Sequence, residues 1–357
     1  MRRPGPVLIA MSGGVDSSVA AALMVKRGYD VIGITMQIWQ ESQTDPRHAG
    51  CCSLGAVEDA RRCAQIIGIP HYVMNFKEEF RRNVIDNFVD EYAKGRTPNP
   101  CVQCNKTVKF EILMQKMREL GCQTLVTGHY ARIRRSATGH YRLLRARGTG
   151  KDQSYVLYML DQEQLASSYF PLGEIADKAE TRQMARDFGL PVADKPDSQE
   201  ICFVSEAGGY VEFLRKQRPE MFKEGSVVDE DGKEVGRHDG VAGFTIGQRR
   251  GLGVSSNRPL YVLGISAGDN RVVVGGERSL DRREVFLQDM VFGAIQPNSE
   301  PQRVVAKIRY NMQPEPAVLH SGDNPRLVFD RPVRAVTPGQ MAVAYVGQSV
   351  AAGGTIQ

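Results

Sequence analysis

The sequence has no long hydrophobic run. Its N-terminal apolar segment is too short for the core of a secretory signal, and no later run approaches the length of a membrane span. We therefore expect a cytoplasmic protein with no membrane partner. Low-complexity tracts and repeats of about 20–50 residues are also missing, so a repeat architecture is not indicated.

Neither sign of charge dominates. The 46 Lys and Arg residues slightly outnumber the 41 Asp and Glu residues, which gives a net charge of +5. So small an excess is compatible with a polyanionic partner but does not require one. The seven cysteines are an odd number in a large chain. We expect most of them to be reduced and buried, catalytic or metal-binding, because structural disulfides are rare in cytosolic proteins.

The first part of the chain alternates between two patterns up to about residue 205. Short apolar runs indicate buried strands at Val7–Met11, Val31–Met36, His71–Phe76 and Thr124–Tyr130. Helices are predicted at Ser17–Arg27 and Gly55–Ile67, closed by Gly28 and Gly68. The alternation predicts an α/β domain with a doubly wound parallel sheet, which binds its ligand beyond the carboxyl ends of the strands.

The rest of the chain is predicted to be rich in β-structure. Glycines punctuate short alternating segments after about residue 205, and further strand candidates follow from about residue 280. A chain of 357 residues is long enough for two or three domains. We predict three, namely the α/β domain over residues 1–205, a central β-rich domain over 206–279 and a barrel-like C-terminal domain over 280–357.

The segment "MSGGVDSSVA" follows the first predicted strand and opens a helix. Its two glycines permit close approach of a ligand, and its serines and first helical amides can hold phosphate oxygens. The patterns of P-loop kinases and of dinucleotide-binding folds are absent. The alternative interpretation is a tight turn that Asp16 or Ser17 caps.

The SGGxDS pattern of this segment resembles that of the PP-loop ATP pyrophosphatases, whose domain is adenine nucleotide α-hydrolase-like. The resemblance implies ATP as cosubstrate, with Mg²⁺, and places Met36 and Gly128 near the nucleoside. The residues that it assigns to ATP are Ala10, Met11, Ser12, Gly13, Gly14, Val15, Asp16 and Ser17.

A second candidate site is "NPCVQCNK", which carries Cys101 and Cys104. This spacing alone allows a metal clamp, a redox pair or one nucleophile with a neighbour. An apolar stripe predicts a helix that begins near Asn105, which would put Cys104 at a helix N-terminus close to Lys106 and Lys109. Both features favour the reactive thiolate, whereas the alternative is a small buried residue in a cap.

The other cysteines have weaker signals. Cys202 lies in a short apolar segment, "DKPDSQEICFV", where a cysteine is usually a core residue. Packing is also the interpretation for Cys51, Cys52, Cys63 and Cys122.

Seven segments in one order carry a more specific resemblance. They are "MSGGVDSSVAA", "GRTPNPCVQCNKTVKF", "TGHYAR", "KDQSYVLYML", "DSQEICFV", "FTIGQRRGLG" and "VTPGQMAV". Together they resemble the bacterial tRNA-specific 2-thiouridylases over essentially the whole chain. That family puts sulfur on C2 of the wobble uridine in the tRNAs for Lys, Glu and Gln, after ATP has adenylated O2.

This resemblance implies roles for two cysteines. Cys104 would be the nucleophile, and Cys202 would carry a persulfide delivered by a sulfur-relay protein or a cysteine desulfurase. The two could be disulfide-linked after turnover. Adenylation makes chemical sense because it converts the oxygen of a poor, urea-like electrophile into a leaving group.

Cys101 departs from the form of the family that has Asp at this position. In the persulfide interpretation Cys101 only lines the base pocket. In the alternative, Cys101, Cys104 and Cys202 hold a 4Fe-4S cluster with one open iron for sulfide.

A third region indicates RNA binding. Residues 131–151 contain no Asp or Glu and seven basic residues, namely Arg132, Arg134, Arg135, Arg142, Arg145, Arg147 and Lys151. The pattern predicts a hairpin that either tracks phosphates or is a charged, solvated edge. The resemblance implies target-base contacts by Asn99, Pro100 and Cys101. It implies tRNA contacts by His129, Lys151, Asp152, Gln153, Arg309, Tyr310 and Gln340.

Two other functions remain open from the sequence. A different PP-loop ligase would share the loop of residues 10–17, which we call the nucleotide loop, but it would not need the pair of Cys104 and Cys202. A non-enzymatic RNA-binding module would not need an intact nucleotide loop, and release of pyrophosphate from ATP distinguishes it.

Overall fold

The structure is a computed structural model that describes residues 5–39, 54–148, 150–197, 201–204, 207–297 and 300–357. The chain forms two compact units. The first unit comprises Met1–Val84, Cys101–Glu206 and Gln348–Val350, and the second comprises Ile85–Pro100, Ala207–Gly347 and Ala351–Gln357. No helix in the described part of the chain is long and apolar enough to cross a membrane.

A five-stranded parallel sheet forms the centre of the first unit. Its strands are β1 (Val7–Ala10), β2 (Val31–Gln37), β3 (His71–Asn75), β4 (Thr124–Val126) and β7 (Ser168–Tyr169). They are arranged in the order β3-β2-β1-β4-β7, and every pair is parallel. The four strands predicted from apolar runs are thereby confirmed. The two-residue strand β7 is too short to leave a periodic signal.

The first helix is buried on most of its surface. Helix α1 (Val15–Lys26) follows β1 and carries a run of small residues, Ala20 to Ala22, all of them buried. The small side chains let the helix lie close to the sheet. Gly28 lies just beyond the end of the helix, where its φ of 80° suits glycine and its amide donates to the Val25 carbonyl.

The remaining helices include one longer than α1 and a series of shorter segments. A π-helical turn lies at Arg81–Ile85. The α-helices are α2 (Leu54–Ile67), α3 (Lys77–Phe80), α4 (Asp86–Ala93), α5 (Pro100–Cys104), α6 (Leu113–Glu119), α7 (Gln162–Ala166), α8 (Lys178–Asp187) and α9 (Tyr210–Gln217). Single-turn 3₁₀ helices occur at Ser154–Leu157, Pro171–Glu174, Pro219–Met221, Val241–Gly243 and Glu277–Leu280.

The helix that carries Cys104 begins earlier than predicted. It starts at Pro100, continues as a π-helical stretch over Asn105–Ile112 and ends with α6. The predicted start near Asn105 is therefore wrong by about one turn and a half. The apolar stripe that gave the prediction covers only the later turns. Proline is favoured at the first position of a helix, where its missing N–H is not needed.

The predicted basic hairpin is confirmed. Strands β5 (Ala131–Arg135) and β6 (Tyr141–Arg145) pair in an antiparallel register with Ile133 opposite Leu143. Gly139 takes a φ of 88° in the turn. Within the same unit, Ser349 pairs with Leu144.

The second unit begins with a small sheet. Its strands are β8 (Gly225–Val228), β9 (Glu234–His238), β10 (Tyr261–Ser266) and β11 (Arg271–Gly275), in the order β10-β11-β8-β9. Helix α4 belongs to this unit because its aromatic residues pack on α9. Tyr92 stacks on Tyr210 with 5.2 Å between ring centroids, and Phe88 meets Phe213 edge-on at 6.1 Å.

A closed six-stranded barrel completes the second unit. Its strands are β12 (Asp281–Phe292), β13 (Gln302–Lys307), β14 (Glu315–His320), β15 (Arg326–Arg334), β16 (Met341–Val346) and β17 (Ser349–Ile356). The order is β12-β15-β14-β13-β16-β17, and pairing of β12 with β17 closes the barrel. The predicted fold, an α/β parallel-sheet domain followed by β-rich domains of which the last is barrel-like, is confirmed.

The barrel core yields the first testable prediction. Phe329 on β15 is 1% exposed, so Phe329→Ala should leave a cavity and cost about 3–5 kcal/mol of stability. Phe286, on the adjacent strand β12, is 38% exposed. Differential scanning calorimetry should show a large fall in Tm for Phe329→Ala and a small one for Phe286→Ala. Equal falls would contradict this assignment of the core.

Candidate active site around the nucleotide loop

The loop between β1 and α1 is shaped by contacts that exclude side chains. Gly13 has a φ of 67°, and a Cβ there would lie 2.0 Å from the Ala56 carbonyl oxygen. The Ser12 amide donates to Ser17 Oγ over 3.0 Å, which closes the loop over the first turn of the helix. Gly14 is the N-cap of α1 and supplies no side-chain cap. The alternative of a turn tied by Ser17 is thus borne out in part, because Ser17 Oγ holds the Ser12 amide although the N-cap residue is Gly14. The N-terminus of α1 suits an anion.

A second glycine lies directly against this loop. Gly128 follows β4, and a Cβ there would lie 2.8 Å from the Asp16 carbonyl carbon and from the Ser17 amide nitrogen. Met36 is near the carboxyl end of β2. Since β1, β2 and β4 are parallel neighbours, the structure brings residues 10–17, Met36 and Gly128 to one edge of the sheet.

The carboxylate of Asp16 is held by two donors. Tyr130 Oη donates to it over 2.7 Å and Lys178 Nζ over 2.6 Å. Tyr130 is fully buried and its hydroxyl also lies 2.8 Å from Thr181 Oγ1. Burial, together with the charge of Asp16, raises the pKa of Tyr130 far above its usual value, so its hydroxyl remains a donor.

Lys178 also bonds to a second carboxylate. Its ammonium donates to Asp197 over 2.8 Å, and Lys151 forms an ion pair with the same side chain. Burial opposes the charge of Asp197, but hydrogen bonds from Lys151 and Lys178 outweigh burial and lower its pKa. Asp16, Lys178, Asp197 and Lys151 therefore form one chain of alternating charges.

The segment that contains Asp197 is tied to the nucleotide loop at another point. Lys195 Nζ donates to the Gly13 carbonyl over 3.0 Å and to Asp59 over 2.7 Å. Further along this segment, Phe203 is buried and meets Phe80 edge-on at 5.8 Å. Cys202 lies between these anchors and is partly buried.

Sequence reasoning missed most of these charged partners. Lys195 and Asp197 lie in the segment "DKPDSQEICFV", which the sequence analysis singled out for its cysteine. Their ionic contacts with the nucleotide loop and with Lys178 were not predicted. Lys178 lies in the first turn of α8, 162 positions from Asp16, and no local pattern marks it.

The cysteines occupy different environments. Cys101 is exposed in the first turn of α5, whereas Cys104 is partly buried at the end of α5. The prediction that Cys104 lies at a helix N-terminus is therefore wrong. The dipole effect declines beyond the first turn, so it favours a thiolate at Cys101 more than at Cys104. Lys106 and Lys109 follow in the π-helical stretch.

The possible iron–sulfur ligands do not form a metal site. All three cysteines lie in the described part of the chain, where no three His, Cys, Asp or Glu side chains are arranged to hold a metal ion. Cys101, Cys104 and Cys202 are thus not arranged around a single metal ion in the described residues, and we derive no step from a cluster.

Two further cysteines are packing residues, as expected. Cys63 is 0% and Cys122 4% exposed, and burial raises the pKa of both thiols. Cys51 and Cys52 lie outside the described residues.

Several residues assigned to tRNA make contacts within the protein. Asp152 accepts from Arg145 Nε over 3.0 Å and from the Ser154 amide over 3.1 Å. Gln153 Oε1 accepts from the Tyr130 amide over 2.9 Å. These two side chains therefore shape their own loop, and Lys151 is paired with Asp197.

His129 is largely buried. It is 9% exposed, lies against Phe110 and Phe170, and its Nδ1 is 2.7 Å from Thr127 Oγ1. Burial, with the nearby charge of Lys109, holds its pKa well below the usual value, so the ring is neutral. A direct contact of this ring with tRNA remains a prediction.

The remaining candidates lie in the second unit. Arg309 and Tyr310 are exposed, and the Lys307 ammonium lies 5.5 Å from the Tyr310 ring centroid. In the stretch before α5, Asn99 is partly buried and Pro100 is buried. Gln340 donates to two backbone carbonyls of that stretch.

The basic hairpin is less positive than its sequence indicates. Arg132 and Arg134 both pair with Glu174, and Arg145 pairs with Asp152. Arg135 and Arg142 are exposed, and Arg135 lies over the Tyr141 ring. Acidic partners from outside the hairpin thus reduce the positive electrostatic potential at its surface.

Family models match three successive parts of the chain. Residues 5–206 match the HUP domain described as that of tRNA methyl transferases, residues 211–276 match the PRC-barrel domain of the same description, and residues 282–356 match an aminomethyltransferase beta-barrel domain.

Curated relatives match over nearly their full length. The chain is 47% identical to the tRNA-specific 2-thiouridylase MnmA of Clostridioides difficile, over 98% of both chains. It is 49% identical to that of Geobacter metallireducens, over 98% of this chain and 96% of the relative. A solved 4-thiouridine synthetase in complex with RNA and ATP aligns with 60% of this chain and 51% of its own, at 19% identity and a TM-score of 0.37. That structural likeness is too low to inform the site.

The contact between Gly128 and the nucleotide loop predicts a sharp steric effect. Gly128→Ala would push its methyl group against the backbone of Asp16 and Ser17. We expect it to weaken ATP binding about tenfold or more, which is about 1.4 kcal/mol, in isothermal titration calorimetry. Gly268→Ala is the control, since a Cβ there meets nothing within 4 Å. ATP binding that is unchanged in Gly128→Ala would contradict the loop assignment.

The neutral state of His129 predicts a pH dependence. The unfolded ring takes up a proton below about pH 6.5 and the folded ring does not, so stability present above that pH is lost as the pH falls. We expect Tm to fall between about pH 7.5 and pH 5.5, and to fall less in His129→Gln. The exposed His140, replaced by Gln, is the control. An equal fall in wild type and His129→Gln would contradict the buried neutral ring.

Proposed function

The chain belongs to the tRNA-specific 2-thiouridylase family, and we propose that Cys104 and Cys202 transfer the sulfur while residues 10–17 hold ATP. The reaction is the ATP-dependent 2-thiolation of tRNA uridine, so the protein is a tRNA-uridine 2-sulfurtransferase. We assign its target as the wobble uridine of the tRNAs for Lys, Glu and Gln, and its location as the cytoplasm.

One structural observation supports this assignment most strongly. The segment that carries Cys202 is fastened to the nucleotide loop through Lys195, which donates to the Gly13 carbonyl, and through Lys178, which Asp197 and Asp16 share. A PP-loop ligase that does not transfer sulfur has no need to connect a cysteine to its phosphate loop. Here the same ionic contacts serve the nucleotide loop and the sulfur carrier.

ATP activates the base. The O2 atom of the uridine attacks the α-phosphorus, pyrophosphate leaves, and the base becomes an adenylate with a good leaving group. The amide groups at the start of α1 and the ammonium groups of Lys178 and Lys195 supply positive charge for the phosphates. Asp16 is the carboxylate that would hold the Mg²⁺ ion of an ATP complex, and the ion would offset the negative charge of the phosphates.

Sulfur transfer follows adenylation of the base. A sulfur-relay protein or a cysteine desulfurase leaves a persulfide on Cys202, and its outer sulfur attacks C2 of the adenylated base and expels AMP. The Cys104 thiolate attacks the inner sulfur of Cys202, which releases the thiolated base and leaves a Cys104–Cys202 disulfide. An external thiol reductant regenerates both thiols before the next turnover.

Two groups of residues are proposed to contact the RNA. Asn99, Pro100 and Cys101 lie against the target base, which must leave the anticodon stack to be adenylated. Exposed Arg309 and Tyr310 offer a charge and a stacking surface to RNA. We retain the division into domains at residues 1–205, 206–279 and 280–357 as part of the proposal.

The cysteine roles predict a clear separation of activities. Cys104→Ser and Cys202→Ser should each abolish 2-thiouridine formation, measured by mass spectrometry of anticodon nucleosides after incubation with ATP, tRNA and a sulfur source. Both variants should still release pyrophosphate, because the nucleotide loop is intact. Cys101→Ser is the matched control and should slow thiolation without abolishing it. Full thiolation by either Cys104→Ser or Cys202→Ser would contradict the proposed relay.

A further inference from the structure

The stretch of residues 97–100, Thr-Pro-Asn-Pro, is unusually poor in backbone donors. Pro98 and Pro100 have no N–H, and a residue before proline favours extended backbone. This stretch follows helix α4 and Gly95, which has a φ of 73°, and it leads directly into α5. The carbonyl groups of this stretch therefore need hydrogen-bond donors from another part of the chain.

The barrel supplies those bonds from the loop between β15 and β16. The Thr97 amide donates to the Pro338 carbonyl over 2.8 Å. Gln340 Nε2 donates to the Thr97 carbonyl over 2.9 Å and to the Pro98 carbonyl over 3.1 Å. The side-chain amide of Gln340 thus makes the hydrogen bonds that a neighbouring strand would otherwise make to these carbonyl groups.

The loop itself is fixed to the barrel. The Gln340 carbonyl accepts from the Ile356 amide over 2.8 Å, and the Gly339 amide donates to the Ile356 carbonyl over 2.9 Å. Gly339 is buried with a φ of 90°, and a Cβ there would lie 3.0 to 3.1 Å from the Thr97 backbone. Residues 97–100 are therefore pressed against a rigid glycine turn.

We propose that Gln340 and Gly339 are positioning residues that fix residues 97–100 for catalysis, and that Gln340 does not act mainly by holding tRNA. A primary amide has two N–H donors, and Gln340 directs both of its donors to carbonyls of this stretch. Only its Oε1 remains for RNA. The inference rests on the proposed function, because it takes Asn99–Cys101 as the segment that meets the target base.

This role predicts an effect on turnover and not on RNA affinity. Asn99 lies next to the bonded residues, so loss of the amide should let the base segment shift. A displacement of about 1 Å in an active site can cost about a hundredfold in rate. The surfaces that bind tRNA phosphates would be unchanged.

The test compares tRNA affinity with turnover at saturating tRNA. Gln340→Leu removes both donors, Gln340→Glu faces two carbonyls with a carboxylate, and Gly339→Ala pushes against Thr97. Gln340→Lys keeps an N–H donor group, one bond further from the backbone and positively charged, and serves as the rescue variant. Gln348→Leu is the matched control for Gln340→Leu, because Gln348 is exposed in the turn between β16 and β17 and the change adds no charge. Calorimetry of each variant confirms that the barrel is folded.

We expect kcat for thiolation to fall about ten- to a hundredfold in Gln340→Leu, Gln340→Glu and Gly339→Ala, with tRNA Kd within about twofold of the Gln348→Leu control. Gln340→Lys should recover most of kcat. A tenfold or greater rise in Kd with unchanged kcat, or no effect on either, would overturn the inference alone. If the wild-type protein forms no 2-thiouridine, the proposed function is wrong, and this inference, which rests on it, is wrong as well.

Discussion

The ammonium group of Lys178 joins the two halves of the proposed chemistry. It lies within hydrogen-bonding distance of Asp16 in the nucleotide loop and of Asp197 in the segment that leads to Cys202. The three side chains are partly buried, so the charges are weakly screened and each depends on its partners. Loss of this single cation would remove the link between the two carboxylates and leave Asp16 with Tyr130 and Asp197 with Lys151.

Ion pairing also changes the interpretation of the basic hairpin. Its sequence contains only positive charge, yet Glu174 and Asp152 neutralise part of it. Ion pairs of this kind, on partly exposed side chains, are individually weak. They nevertheless hold the arginines in fixed directions, so fewer of them are available to phosphates than the sequence count implies. The exposed Arg135 and Arg142 are the members best placed to meet RNA.

The barrel has a structural role beyond its own core. Its loop at Pro338–Gln340 bonds a stretch whose prolines leave the carbonyl groups without strand partners. Because a closed barrel has no free edge, the loop is held from both sides and can position another segment accurately. A domain that looks remote in sequence thereby fixes the residues next to Cys101.

The sequence by itself determined the elements whose signals are local. Apolar runs gave β1 to β4, Gly28 and Gly68 marked the ends of helices, and the SGGxDS pattern located the nucleotide loop, because each of these depends on neighbouring residues. Tertiary structure alone decided the start of the helix at Pro100, the burial of His129 and the partners of Asp16. Those partners come from positions 130 and 178, more than a hundred residues away. Pairings over such separations are set by how the sheet and helices pack, and no periodicity along the chain records them.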